Sequence, residues 1–299
     1  MVNEECERIF QTISFSKKDQ EAIEIATRDQ SGVSEWKKQR AGRITGTNIK
    51  HVCNFKFKSQ LTSGDINFIL EMCYPELNNF TGNKATSYYL FSLYRSNLEL
   101  KKNNLHFFIN RYGLKNEPIA AKLTEKHIQD NNLHTIIFLR NWSALSLPSL
   151  PSYVGASPDR LTQCDCCGRC VLYPSTLEGK DIEQRVKTDK SFFLQINPET
   201  EEIYLVEKPD SYFQLQLQLY VTGNRKGIFS VYNGAGEIKL VFIERDEDLI
   251  STMVAKSKLF FLLEMLPNRG GCTTLSNCLV LPFSLFPSLL VLSMSDRYH

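Results

Sequence analysis

The chain has 299 residues, of which 35 are Lys or Arg and 33 are Asp or Glu, so its formal net charge is +2. Apolar residues make up 42% and charged residues 23%, which are globular values and exclude a disordered, collagen-like or coiled-coil chain. The length suits one large domain or two small ones. A net charge near zero does not exclude a nucleic-acid partner, because a positively charged binding surface can occupy a small part of the molecule.

The termini and the cysteines bear on the location of the protein. Residues Met1–Glu5 lack the basic and apolar regions of a secretory signal. Nine cysteines are an odd count, which favours reduced thiols in an intracellular protein and leaves nuclear and cytoplasmic locations open. The apolar stretch Leu279–Leu292 contains two prolines and is too short to span a bilayer, so we expect no membrane segment.

Hydrophobic periodicity and capping residues predict helices at residues 7–29, 113–130, 212–221 and 245–266. The second helix is predicted to begin with Asn116 as its cap and Pro118 in its first turn. Strands are predicted at 153–157, 228–233 and 238–244, the last two as a hairpin around Gly234–Gly236. Helices around a few strands indicate an α/β or α+β fold.

A basic segment covers residues 36–58, with seven Lys or Arg and no Asp or Glu. It is either a solvated helix face or a surface that meets phosphates. Inside it, Thr45 and Thr47 offer hydroxyls beside basic side chains, which suits phosphate contact as well as ordinary helix capping.

Several carboxylates are candidates for metal chemistry. Asp159 follows a predicted short strand, and Glu178 and Lys180 would point the same way if they lie on a strand. Two carboxylates can hold Mg²⁺, and a neighbouring lysine can orient or deprotonate a water molecule. Glu117 could add a third carboxylate, although an acidic residue is also common in the first turn of a helix. The pattern alone is weak, because chance matches are frequent.

Glutamines and cysteines offer two further sites. On a helix, Gln214 and Gln218 share a face, while Gln216 points to the opposite side. Their amides could position water or contact phosphate, or simply form a solvated face. Four thiols crowd Cys164–Cys170, whereas a structural zinc site usually uses two separated pairs. A turn with reduced thiols is therefore favoured over a zinc-bearing interaction module.

The order of five segments resembles the YqaJ-type viral recombinase domain, which is similar to lambda exonuclease within the PD-(D/E)xK nuclease superfamily. These segments are Trp36–Thr45, Tyr112–Ala120, Gly155–Asp159, Tyr212–Gln216 and Ile243–Asp246. The resemblance runs from about residue 20 to about residue 265. It implies a central mixed sheet flanked by helices, with a restriction-endonuclease-like core. It also implies hydrolysis of DNA phosphodiesters in recombination or repair with Mg²⁺, or with Mn²⁺, and a possible homo-oligomeric ring.

The same resemblance implies roles for individual residues. Glu117 matches the helix glutamate, Asp159 the metal-binding aspartate, and Gln216 the glutamine near the attacking water. Thr45 matches the hydroxyl that contacts phosphate. The full prediction assigns catalysis to Glu178, Lys180 and Gln216, metal binding to Glu117, Asp159 and Glu178, and DNA contact to Arg40, Arg43, Thr45, Thr47 and Gln214.

The chain departs from the family pattern at three places. The predicted order is a helical segment at 1–30, a nuclease domain at 31–266 and a divergent apolar tail at 267–299. Within the nuclease domain, residues 88–111 look inserted. The family's Glu-x-Lys is missing directly after Val171 and Leu172, where Tyr173 and Pro174 stand, so Glu178–Lys180 is the nearest substitute. Two functions follow: a metal-dependent DNA exonuclease-like protein, or a catalytically inactive DNA-binding relic of the same fold.

Overall fold

The computed structural model describes residues 16–27, 34–58, 61–73, 104–131, 136–139, 151–164, 168–177 and 181–266. The expectations for residues 1–15, most of the inserted segment, Glu178, Lys180 and the tail lie outside these ranges. The described residues form two compact units. Unit 1 holds the described residues up to 73, 151–155 and those from 252 onward, and unit 2 holds those from 104 to 139 and from 156 to 251.

The described elements are as follows. The helices are α1 (Lys17–Ala26), α2 (Ser34–Arg40), α3 (Ile49–Asn54), α4 (Ser63–Cys73), α5 (Asn104–Asp130), α6 (Ile182–Thr188), α7 (Asp210–Thr222) and α8 (Glu247–Phe260). A π-helical turn, Phe261–Met265, follows α8. The strands are β1 (Ile136–Leu139), β2 (Arg160–Cys164), β3 (Gly168–Thr176), β4 (Leu194–Ile196), β5 (Ile203–Leu205), β6 (Lys226–Tyr232) and β7 (Ile238–Glu244).

Unit 2 is built on a five-stranded sheet with the order β1-β2-β3-β6-β7. Strands β3 and β6 are parallel, and the other neighbours are antiparallel. Strands β4 and β5 form a separate antiparallel pair. The sheet is therefore mixed, and helices α5 and α7 both contact it. This confirms the predicted fold class, a mixed α/β protein with helices flanking a mixed sheet.

The two faces of the sheet have separate apolar clusters, since successive strand residues point to opposite faces. On one face Leu172 of β3 and Ile228 of β6 pack with Ile128 of α5. On the other face Phe229 packs with Leu215 of α7 in a larger cluster. A methyl group at Gly227 would lie 3.1 Å from Leu215 Cδ1, so glycine lets α7 approach β6 closely.

Unit 1 buries the hydrophobic positions of the basic segment. Ile44 N–H donates to Tyr153 O at 2.7 Å, and Gly155 N–H donates to Ile44 O at 2.9 Å. The Tyr153 ring stacks on Phe261, with centroids 4.6 Å apart. Phe55 meets Phe260 edge to face at 4.9 Å. These contacts fix the backbone on which Arg43 and Thr45 lie.

The structure confirms some sequence-based element predictions and corrects others. The helix predicted at 212–221 is α7, and it ends at Gly223 with a φ of 69°. The predicted hairpin is β6–β7. The predicted start of the second helix is wrong, because α5 begins at Asn104 and Pro118 lies inside it. The strand predicted at 153–157 is also wrong, since only Val154 pairs, in a single bridge with Ile44.

Within the part of the chain that the structure describes, no helix has both the length and the apolar character to cross a membrane.

Candidate functional site

The candidate site in unit 2 is a pair of acids brought together from two elements. Glu117 lies half-buried in the middle of α5, directly before Pro118. Asp159 ends the irregular segment that leads into β2. An ion pair between Arg160 Nη1 and Glu125 Oε1, at 3.1 Å, links β2 to the same helix two turns beyond Glu117. This link helps to hold the two carboxyl groups together.

The two carboxyl groups hydrogen-bond to each other. Burial raises the pKa of Asp159 well above its ordinary value, and the charge of Glu117 and their hydrogen bond raise it further. The charge of Arg160 opposes this rise. Asp159 therefore holds its proton more strongly than an ordinary aspartic acid does.

Tyr173 is the third group at this site, and the sequence analysis gave it no role. Burial raises the pKa of its phenol, and the charges of Asp159, Glu117 and Asp210 act in the same direction. Its hydroxyl donates to Gln214 Oε1 at 3.2 Å. The pairing of β2 with β3 reveals this neighbourhood, and the sequence signal for it is that Tyr173 stands where the family's Glu-x-Lys is missing.

The three glutamines of α7 have different environments. Gln214 lies half-buried and accepts from Tyr173. Gln216 is fully buried, its Nε2 donates to Glu244 O at 2.9 Å, and its Oε1 accepts from Asp246 N–H at 2.9 Å. Gln218 is also buried, and its Nε2 lies 3.4 Å from Ser157 O, two residues before Asp159. Gln214 and Gln218 thus share the side that faces the site, as their spacing predicts.

The predicted phosphate contacts of the basic segment lie in unit 1. One Arg40 nitrogen, Nη2, lies 3.0 Å from the hydroxyl oxygens of both Thr45 and Thr47. Its guanidinium group also stacks over the Trp36 ring, 4.4 Å from the centroid. Burial lowers the pKa of Arg40 to about 10, so the side chain keeps its charge at neutral pH. We call Arg40, Thr45 and Thr47 the Arg–Thr cluster.

Arg43 has a different environment from Arg40. Its side chain is 2% exposed, and Nε donates to Ser152 O at 2.9 Å. Nη1 donates to the backbone oxygen of Gln39 and to its side-chain oxygen. The charge pattern of the sequence does not distinguish these two arginines. Arg43 is buried because Ser152, which is distant in the sequence, packs against it and accepts its hydrogen bond.

The donor chemistry of the acid pair fits a hard divalent cation. Carboxylate oxygens are the ligands that Mg²⁺ prefers, and a bound cation would offset the charge of two neighbouring carboxylates. Within the described ranges, no cluster of three or more His, Cys, Asp or Glu residues is placed to hold a metal ion. Glu178 and Lys180 lie between the end of β3 and the start of α6, outside the described residues, so their catalytic roles stay predictions.

The fold and the acid pair together define a mixed α/β protein with an acidic site beside its sheet. The sequence matches the YqaJ-like viral recombinase domain over residues 35–225. The chain therefore belongs to the YqaJ-like viral recombinase domain family, which confirms the resemblance found in the sequence.

Comparison with solved structures gives distant similarities. An alkaline exonuclease (LHK-Exo) from Laribacter hongkongensis is 18% identical, with a TM-score of 0.45, and the match covers 79% of this chain and 94% of that one. The complex of LHK-Exo with dAMP has the same identity and coverage and a TM-score of 0.47. The structure of SSO0001 is 12% identical over 77% of this chain and 89% of that one, with a TM-score of 0.28. No curated protein matches the sequence significantly.

Proposed function

We propose that this chain is a DNA exonuclease-like protein that hydrolyses phosphodiester bonds in recombination or repair, with a divalent cation, Mg²⁺ or Mn²⁺. The observation that carries the proposal is the half-buried, hydrogen-bonded pair of Glu117 and Asp159. Membership in the YqaJ-like family supports it, because recombinases of this name act on nucleic acid.

Glu117 and Asp159 would hold the cation through their carboxylate oxygens. When bound, the cation would supply Lewis-acid polarisation of the scissile phosphate. The residues of the chain have complementary tasks: Arg160, through its ion pair with Glu125, and Gln218, through Ser157 O, keep Asp159 in position. Glu178 and Lys180 remain the predicted partners for activation of the attacking water.

We assign the contact with water or phosphate in unit 2 to Gln214. Because its Oε1 accepts the Tyr173 hydroxyl, its amide nitrogen is the end that can donate to a phosphate oxygen or to the attacking water. Both ends of the Gln216 amide bond to the backbone at the end of β7, which suits a structural role.

DNA contact in unit 1 falls to the Arg–Thr cluster. A guanidinium group that already aligns two hydroxyls is prepared to donate to a phosphate, and Thr47 is exposed. We give Arg43 a supporting role, because its buried guanidinium fixes the segment that carries Thr45.

The test is the degradation of linear double-stranded DNA by the purified protein, with Mg²⁺ and with a chelator. Asp159→Asn should lower the Mg²⁺-dependent rate at least about a hundredfold, since a cation contributes several kcal/mol to such reactions. DNA affinity should stay within about twofold, because the Arg–Thr cluster is unchanged. Glu199→Gln, which removes an exposed acid in a turn, is the matched control and should keep full activity. Equal rates for the wild type and Asp159→Asn would refute the assigned site.

A second candidate function is the inactive DNA-binding relic. It is favoured by one observation, that the described residues place no third His, Cys, Asp or Glu with Glu117 and Asp159 to hold a metal ion. Salt-sensitive DNA binding without any Mg²⁺-dependent loss of DNA would establish it in place of the exonuclease-like function.

A further inference from the structure

Tyr173 occupies a special position in the sheet relative to Asp159. Strands β2 and β3 are antiparallel, with Arg160 opposite Leu172. Continuing this register by one residue places Asp159 opposite Tyr173. Residues directly opposite on an antiparallel pair point to the same face, with Cβ atoms about 4.5–5.5 Å apart. Asp159 is the bend residue directly before β2, so this extension of the register is the geometric basis for setting position 173 beside it.

The Tyr173 side chain is held firmly in this position. Its ring stacks on Phe229 of the neighbouring strand β6, with centroids 5.4 Å apart and an interplanar angle of 15°. Its hydroxyl donates to Gln214 at 3.2 Å. Both ends of the side chain are thus fixed, the ring by Phe229 and the hydroxyl by Gln214.

A phenol differs from a carboxylate in charge. Tyrosine is neutral at pH 7, whereas a glutamate in the same place would carry a negative charge. Protein affinity for hard divalent cations rises with the number of charged oxygen ligands. With a neutral phenol at position 173, a cation at this site would meet two charged ligands, Glu117 and Asp159, where a carboxylate at position 173 would provide a third.

We propose that Tyr173 sets the cation affinity of the Glu117–Asp159 pair, by placing a neutral hydroxyl where a third carboxylate would face that pair. The inference rests on the proposed function, because it takes the pair as the cation site. It means that the wild-type site binds a divalent cation weakly, and that a single substitution at position 173 can strengthen it.

The decisive experiment is calorimetric titration of the full chain with Mn²⁺ alone. Tyr173→Glu and Tyr173→Gln form a matched pair, because the two side chains have the same shape and differ by one charge. Tyr173→Glu should bind Mn²⁺ at least about tenfold more tightly than Tyr173→Gln, since affinity follows the charge of the ligand set. Adding Asp159→Asn to Tyr173→Glu should abolish that gain. Equal Mn²⁺ affinity of the two variants, or a gain that survives Asp159→Asn, would overturn the proposal.

Tyr173→Phe keeps the ring stack on Phe229 and covers the case in which the other two variants do not fold. If the phenol is no ligand, Tyr173→Phe should bind Mn²⁺ within about twofold of the wild type. A tenfold loss in this variant would show that the hydroxyl itself holds the cation and would refute the proposal. Because the readout is metal affinity, it is independent of DNA degradation, whose absence would refute the proposed function alone.

Discussion

Arg40 and Arg43 are only three residues apart, yet they have opposite functions in our assignment. Arg40 is half-buried, stacks over Trp36 and reaches two threonine hydroxyls. Arg43 is enclosed, and it satisfies the backbone oxygen of Ser152 and two oxygens of Gln39. Guanidinium groups serve both uses, because five donors in a planar fork can bind phosphates or several buried carbonyl oxygens.

The buried position of Arg43 leads to a prediction for stability. Arg43→Met should lower the free energy of unfolding by about 2–4 kcal/mol, because each buried acceptor left unpaired costs about 1–3 kcal/mol. Urea unfolding at pH 7 measures this change. Arg169→Met removes an exposed arginine of β3 and is the control, with an expected change within about 0.5 kcal/mol. A loss of DNA affinity in Arg43→Met without a loss of stability would contradict the supporting role.

Sequence patterns at the residue scale identified the pair of Glu117 and Asp159 but not its surroundings. The two acids were predicted as metal ligands through a family resemblance, and the structure brings their carboxyl groups into hydrogen-bond contact. Tyr173 was noted only as the residue that stands where the family's Glu-x-Lys is missing, because its place near Asp159 depends on the register of two strands. Strand register is a non-local property that neither charge nor periodicity in one segment can supply.

At the scale of elements, helix α4 begins with a reciprocal capping arrangement. Asp65 N–H donates to the Thr62 hydroxyl oxygen at 3.2 Å, and the Asp65 carboxylate accepts from Thr62 N–H at 2.9 Å. The carboxylate also accepts from the Thr62 hydroxyl at 2.7 Å and from Lys58 Nζ at 3.1 Å. These bonds lower the pKa of Asp65 to about 2, the hydrogen bonds with Thr62 being the main cause.

The capping arrangement makes the stability of α4 dependent on pH. A carboxyl whose folded pKa is depressed stabilises the fold above its unfolded pKa of about 3.9, and this contribution is lost as the pH falls toward 2. Asp65→Asn should therefore lower the unfolding free energy at pH 7 by about 0.5–1 kcal/mol, the usual value of an acid in a first helical turn. The difference between wild type and variant should shrink between pH 4 and pH 2.

Urea unfolding of both proteins at pH 7, 4 and 2.5 measures the effect. Glu199→Gln serves as the control, since its exposed carboxylate lies in a turn and should give no such pH dependence. A wild-type advantage that persists unchanged at pH 2.5 would show that the charge of Asp65 does not stabilise the cap.

Some element ends follow from local chemistry, and packing determined others. Asp181 caps α6 by accepting from Gln184 N–H at 2.9 Å, and Gly223 ends α7 in the left-handed region. Both ends follow from one residue's own chemistry. By contrast, Pro118 suggested a first turn, but α5 continues through it from Asn104. A proline inside a helix removes one hydrogen bond, and packing against the sheet can offset that loss.

At the scale of the whole molecule, a net charge of +2 conceals a concentrated basic segment at residues 36–58. In the structure the positive charges of this segment have different environments. Arg43 is buried, whereas Arg40 reaches the hydroxyl of exposed Thr47. A phosphate contact releases condensed counterions from DNA, so each one steepens the fall of affinity with salt. The slope of DNA affinity against salt concentration therefore reports how many positive charges contact phosphates. The net charge of the chain does not report this number.

Arg40→Met tests this count. It should weaken DNA binding and reduce the slope of log Kd against log salt concentration by about 1, as for one lost phosphate contact. Fluorescence anisotropy with linear double-stranded DNA, in a chelating buffer from about 50 to 200 mM salt, measures the slope. Arg169→Met removes one positive charge from an exposed position of unit 2 and lets a general charge effect be subtracted. Equal slopes for Arg40→Met, Arg169→Met and the wild type would exclude Arg40 from the DNA-binding surface. A reduced slope in Arg40→Met alone would place a phosphate on the Arg–Thr cluster, since only that variant removes its guanidinium group.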